Sequence, residues 1–277
     1  MSNSDSKYKV LQRSWDLFIS KPSHRPRVHA DAMQLSSLSA VPGCELVVAR
    51  YDESLRWTRI FNRCRLTVYN KGRHPIEGGV PSIPLPNVGR ESHTYLHHIV
   101  QRYDTLASTT IFFQGAINSR VEQRLARAYS YMNNSENSFF GNHVRVAQDP
   151  FNWRYPSRTR YPRNGNATRS MSAYTLGEFF TKVLHRKYVS NADYQRSLKG
   201  TRNRTRGEPG PVRWVPGAYF SVGRNLVHRN PRQYYKHILN ATNLTLCADP
   251  EEGHYMERAW MAIFQPQRKP QPIAHTV

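Results

Sequence analysis

The stretch Glu45-Leu46-Val47-Val48-Ala49-Arg50 decides the fold. It is a short β-branched apolar run closed by a cation, the pattern of a buried strand. Two similar runs follow. Leu66-Thr67-Val68-Tyr69 ends at Asn70-Lys71-Gly72, which is turn chemistry, and Thr109-Thr110-Ile111-Phe112-Phe113 stops at Gln114-Gly115. Helical patterns separate the runs. Asp52 or Ser54 can cap a short helix through Leu55, Trp57 and Phe61. A helix over Glu91–Tyr103 puts Tyr95, Leu96, Ile99, Val100 and Tyr103 on one face, and a basic amphipathic helix should run from about Ser119 to Met132. Strand, helix, strand, helix, strand, helix predicts an α/β fold: one domain with a mostly parallel sheet flanked by helices.

Outward from this core the signals weaken. Residues 1–42 read as an extended arm, because prolines break the basic stretch Lys21–Arg27. Residues 43–265 form the expected domain, and 266–277 a Pro-rich flexible tail. Residues 133–175 and 196–213 read as long polar loops of a kind that often carries function. Leu176, Phe179, Phe180, Val183 and Leu184 mark a helix, and Tyr219–Val222 a strand. Asn230-Pro231 opens a helix to about Leu239, and Met256, Ala259, Trp260, Ile263 and Phe264 mark the last one.

The charge balance is lopsided. Forty Lys and Arg against 19 Asp and Glu give +21 with His neutral. Such a field attracts anions, from nucleic acid to phosphorylated small molecules to acidic lipid, without choosing among them. Cys44, Cys64 and Cys247 show no metal spacing and make an odd count, so buried free thiols in a reducing compartment are expected. Met1–Lys9 carries no apolar leader and no run is long enough to span a bilayer, which predicts a cytoplasmic protein. Five sequons begin at Asn133, Asn166, Asn203, Asn240 and Asn243, and chance is their expected origin in such a chain.

Ligands of open parallel sheets bind beyond the carboxyl ends of the strands. That rule selects Arg50, Tyr51 and Asp52, then Asn70, Lys71 and Gly72, then Gln114 and Gly115. Asn87, Gly89 and Arg90 open a helix, where free main-chain N–H groups favour an anion. Arg50, Lys71 and Arg90 could then face one anionic ligand, or be ordinary surface cations. Glu257 lies early in the last apolar helix, where it could act as a general base or merely compensate the helix dipole. His93 and His97 share a helix face, but no third metal ligand is evident, so packing or a phosphate-facing histidine is the preferred reading. The aromatic-basic stretch from Phe151 through Trp153 and Tyr155 to Arg163 could stack bases or sugars, as a lid or a surface arm.

Several of these segments together resemble a fungal and algal-virus family catalogued as a domain of unknown function. They are Val47–Glu53, Tyr69–Gly72, Leu85–Ile99, Phe112–Gly115 and His254–Trp260. The resemblance covers about Glu45–Phe264, and Asn87–Ile99 is its most specific part. The motif order is also similar to that of GT-A glycosyltransferases. Asn87-Val88-Gly89 matches their Asn-x-Gly segment, and Glu257-Arg258-Ala259-Trp260 resembles their late base motif. The resemblance implies a GT-A-like fold and an inverting transfer with Glu257 as base. Asp52 would touch nucleotide or sugar. Arg50, Tyr51, Asn70, Lys71, Asn87, Gly89, Arg90, His93, Gln114 and Gly115 would bind the nucleotide sugar. Trp153, Tyr155, Arg258 and Trp260 would form the acceptor side or a lid.

Gln114-Gly115-Ala116 departs from that pattern where the metal-binding DxD motif is expected. A divalent manganese or magnesium ion is therefore a possible cofactor without its usual motif, and Arg50, Lys71 and Arg90 are expected to stabilise the leaving diphosphate in its place. The resemblance extends to capsid-glycan xylosyltransferases of chlorella viruses, which implies UDP-xylose as donor, a fucose-containing glycan as acceptor and the host cytoplasm as location. The main rival is a non-catalytic protein that holds nucleic acid or another polyanion. A glycoside hydrolase would need Asp52 and Glu257 paired across a sugar.

Overall fold

In a computed structural model, the structure describes residues 43–116, 128–141, 144–154, 172–200, 210–243 and 247–264. The expected arm, the tail, most of the basic helix after Ser119, and Tyr155 lie outside them.

The described strands are β1 (Cys44–Arg50), β2 (Arg65–Asn70), β3 (Ile83–Pro84), β4 (Thr109–Gln114), β5 (Phe139–Gly141), β6 (Arg145–Val146), β7 (Arg213–Trp214) and β8 (Phe220–Gly223). The helices are α1 (Arg90–Arg102), α2 (Ala128–Met132), α3 (Leu176–Glu178, continued by a π-turn over Phe179–Val183), α4 (Asn191–Gly200), α5 (Arg224–Val227), α6 (Arg232–Asn243) and α7 (Glu251–Phe264). Six strands form the main sheet in the order β3-β2-β1-β4-β8-β5, while β6 and β7 make a small separate ribbon. β3, β2, β1 and β4 are parallel, with Val48 opposite Val68 on one side and Phe113 on the other. β8 runs against β4 and β5. The sheet is thus mostly parallel, as expected, and the strand found at 220–223 is its antiparallel member.

Alternation along the strands builds two cores, because successive side chains point to opposite faces. Val47, Ala49 and Phe112 join Tyr95, Leu96, Trp260 and Phe264 under α1 and α7. Leu46, Val48, Ile111 and Phe113 join Trp57, Phe61 and Tyr131 on the other face. Every residue of β1 is buried, as befits a strand covered on both sides.

Four expectations change. Arg56–Phe61 is a 3-10 helix with no side-chain cap, since the Asp52 carboxylate instead accepts the His74 N–H at 3.1 Å. Part of the expected loop 196–213 belongs to α4, whose start is fixed by Ser190 accepting from the Asp193 N–H at 3.1 Å. The last helix begins at Glu251, so Glu257 stands in its second turn rather than early. Cys44 and Cys64 are disulfide-bonded across the sequence-separated starts of β1 and β2, and only Cys247 is a buried free thiol. Spacing alone did not show that the sheet would bring the two cysteines into contact.

Candidate active site at the carboxyl edge of the sheet

β1 leads to β2 and β3 on one side while β4 lies on the other, so the strand order reverses between β1 and β4. The crevice beyond such a switch is where open α/β sheets bind ligands. The loops there are drawn tight. A Cβ on Gly72 would lie 1.6 Å from the Tyr51 carbonyl oxygen, and one on Gly115 2.5 Å from Glu53 Oε2. Glycine is required at Gly72 because the Tyr51 main chain passes within contact distance, whereas at Gly115 the close neighbour is the Glu53 side chain, with Arg50 Cα next at 3.2 Å. Asn70 Oδ1 accepts from the Gly72 N–H at 3.2 Å, and Tyr51 is exposed at the rim.

The predicted cations are engaged within the protein. Arg50 is buried and donates to the carbonyls of Glu53 and His74 at 2.9 and 2.8 Å and to Asn70 Oδ1 at 2.8 Å. Lys71 Nζ donates to the Val88 and Arg90 carbonyls at 2.6 and 2.5 Å. Burial pulls the Lys71 ammonium down to about 7, against an opposing pull from Glu91. The Gly89 and Arg90 N–H groups donate to the carbonyls of Cys247 and Ala248 at 2.8 and 3.1 Å. These two amides at the start of α1 are therefore not free for an anion, and Asn87 lies in the turn that leads to them.

Arg90 is the hub. It has φ +52° and follows Gly89 at φ +63°, so two consecutive residues are left-handed. For a non-glycine residue that conformation is costly and is retained where the surroundings over-determine it. Its guanidinium meets Asp249 at 2.9 Å and Glu91 at 3.6 Å. Glu91 foremost raises the Arg90 pKa, with Asp249 and Glu257 adding to it against burial. Asp249 also meets His254 Nε2 at 3.2 Å. Burial works against the Asp249 carboxylate, but the hydrogen bonds from His254 and Arg90 outweigh it and hold its pKa well below the usual range. α7 reaches this hub through a glycine, because a Cβ on Gly253 would stand 2.7 Å from Arg90 Cδ.

Glu257 projects from α7 one turn beyond Gly253. Its Oε1 accepts the Gly217 N–H at 2.5 Å, and Oε2 takes no hydrogen bond among the described residues. Gly217 and the buried Ala218 both have positive φ, at +81° and +51°. Tyr219 follows, and its hydroxyl accepts from Gln114 Nε2 and donates to the Ala116 carbonyl at 3.0 Å. The contacts close a ring: β1 to Lys71, Lys71 to the start of α1, Arg90 to α7, α7 to Gly217, and Tyr219 back to the end of β4.

Of the other predicted residues, His93 stays beside the ring, its main-chain N–H donating to the Gly89 carbonyl at 3.0 Å, while Trp153, Arg258 and Trp260 separate from it. His93 stacks on His97 with centroids 6.1 Å apart, and burial first, then Lys71 and His97, lower the His93 pKa to about 4. Arg258 lies between Trp153 and Trp214, 4.3 and 4.8 Å from their centroids, and pairs with Asp149 at 2.6 Å. That sandwich clamps the 149–153 segment to α7, so Trp153 and Arg258 act as a fastening. Trp260 is 1% exposed and packs on Tyr95, Phe220 and Phe264, which makes it a core residue and corrects its assignment to the acceptor side or a lid. Asp249, His254, Glu91 and Gly217 were not selected from sequence. Asp249-Pro250 carried a readable signal, an acidic cap followed by proline at the first helical position, and Pro216-Gly217 is turn chemistry.

Among the described residues no group of three or more His, Cys, Asp or Glu is placed to hold a metal ion, and no helix is long and apolar enough to cross a membrane. Fold and site define an α/β protein with its polar centre at the carboxyl edge of a mostly parallel sheet. The chain belongs to the family described as protein of unknown function (DUF3431), whose model matches residues 46–276. No curated protein and no solved structure matches it.

Proposed function

We propose that this protein is a glycosyltransferase that moves a sugar from a nucleotide-sugar donor to a glycan hydroxyl. The observation that carries the reading is the closed ring at the strand-order switch, in which Glu257 keeps Oε2 available while Oε1 is fixed on Gly217. A carboxylate held by one oxygen is oriented to take a proton with the other.

In the proposed step Glu257 removes the proton of the acceptor hydroxyl. The acceptor oxygen attacks the anomeric carbon, the bond from that carbon to the donor phosphate breaks, and the nucleoside diphosphate leaves with the bonding pair. The configuration inverts. Asp52, Tyr51, Gln114 and Gly115 border the crevice on the donor side. Arg50, Lys71 and Arg90 hold the frame through hydrogen bonds and ion pairs instead of offering unengaged charge to the diphosphate. The GT-A class itself, and UDP-xylose as the first donor to try, come from the motif resemblance.

A thermal-shift screen of UDP-, GDP- and CMP-sugars, with manganese and with EDTA, tests donor binding. A ligand at ten to a hundred times its Kd stabilises the fold by roughly 1.4 to 2.7 kcal/mol. A shift from one nucleotide sugar is expected. No shift from any of them, beside a salt-sensitive shift from nucleic acid, would turn the reading to a polyanion-binding protein.

A further inference from the structure

We infer that Asn133 is an N-glycan acceptor and that the chain matures in an oxidising, glycosylating compartment. Two independent observations meet here. The first is the Cys44–Cys64 disulfide, a bond that forms and persists in oxidising compartments and is rare in the cytosol. The second is the placement of the sequon Asn133-Asn134-Ser135. It lies in the turn that follows α2, and both Asn133 and Ser135 are exposed. N-glycans are bulky and sit on surface loops.

The fold gives the turn room and rigidity. Asn134 and Ser138 tie it from within, through Asn134 Nδ2 to the Ser138 carbonyl at 3.0 Å and Ser135 Oγ to Ser138 Oγ at 3.0 Å. The Asn134 carbonyl accepts from Thr109 Oγ1, which anchors the turn at the first residue of β4. Cys44 likewise opens β1, and Cys64 precedes β2. Disulfide and sequon therefore share the amino edge of the sheet, while Gln114, Arg50 and Asn70 end their strands at the opposite, carboxyl edge. A glycan on Asn133 leaves the candidate site open. The sequon at Asn240 differs, since its Thr242 is 2% exposed and its hydroxyl donates to the Ile238 carbonyl at 3.0 Å inside α6. The inference is independent of the proposed activity, and for Asn133 it replaces the expectation of a chance sequon in a cytoplasmic protein.

The test isolates the protein, tagged at its chromosomal locus, from the cells that naturally produce it. Thiols are alkylated during lysis in denaturant, which exposes the buried cysteines. The purified protein is then treated with peptide N-glycosidase in heavy-oxygen water and mapped by mass spectrometry without reduction. The expected result is heavy-labelled Asp at position 133, a linked Cys44–Cys64 peptide and alkylated Cys247. Ser135→Ala should abolish the label and leave the disulfide in place. An unlabelled Asn133 in folded protein overturns the glycan assignment, and alkylated Cys44 and Cys64 overturn the compartment.

Discussion

Glu257 Oε1 and the Gly217 N–H are joined at 2.5 Å, and this contact ties the middle of α7 to a turn built from two left-handed residues. It fixes the direction of the second carboxylate oxygen. Glu257→Gln keeps an oxygen acceptor for Gly217 but cannot take a proton. Turnover should fall by roughly 10²- to 10⁴-fold, with the melting temperature and the donor-induced shift unchanged. Steady-state kinetics beside thermal melts check both halves.

Arg90 should matter to stability as much as to function. Its guanidinium answers the buried Glu91 and the half-buried Asp249. Arg90→Ala removes one partner of a largely buried cluster and leaves carboxylates behind, which should cost about 3 kcal/mol. Urea unfolding reads this as a lower midpoint at an unchanged slope. If Arg90→Ala unfolds at the wild-type midpoint, Arg90 is not the hub of the site.

Much of this was readable in the sequence, for a physical reason. β1 and β4 are continuous apolar runs because parallel strands are buried on both faces, and α1 shows its apolar stripe at helical spacing. The residues at the carboxyl ends of β1, β2 and β4 followed from strand direction alone. What stayed hidden depends on contacts distant in sequence. The Cys44–Cys64 bond needs β1 and β2 in register, and the Arg90–Asp249 pair joins positions 159 apart. Arg50 and Lys71 read as ligands because composition cannot show that main-chain carbonyls already occupy their donors. Trp260 read as part of the acceptor side or a lid because a motif gives no burial.

The disulfide should be a sizeable part of the stability. It closes a segment with a separation of 20 residues, which the chain-entropy model values at about 3 kcal/mol. Paired Cys44→Ser and Cys64→Ser substitutions should lower the melting temperature by roughly 6 to 12 °C. Reductant should lower the wild type similarly and leave the double variant unmoved. Equal melting of the double variant and the wild type would contradict a closed disulfide in the folded protein.

Acid should loosen the fold through the histidines of α1. Burial first of all lowers His93 and His98 to about 4. Both folded values lie below the ~6.5 of an unfolded histidine, so the unfolded chain binds more protons between those values. The histidine contribution is then complete above about pH 6.5 and declines as pH falls toward 4. Burial works against the Glu45 carboxylate, but Arg65 and Thr67, joined by His98 once it is protonated, outweigh it and hold its pKa below the ordinary value, so its contribution is lost at lower pH still. Lys71, lowered to about 7, has the same sign and extends the rise in stability above neutrality. Urea midpoints at about pH 7.5 and about pH 5 should differ accordingly, and His98→Gln should narrow the difference.

The most direct measurement is release of nucleoside diphosphate from a panel of nucleotide sugars, UDP-xylose included, with an array of glycan acceptors, for the wild type and Glu257→Gln side by side. The predicted result is acceptor-dependent release and a sugar-extended product of inverted configuration with the wild type, nearly lost in the variant. Wild-type protein that binds no donor and extends no acceptor, or a folded Glu257→Gln that turns over at the wild-type rate, would contradict the proposed transferase with Glu257 as its base.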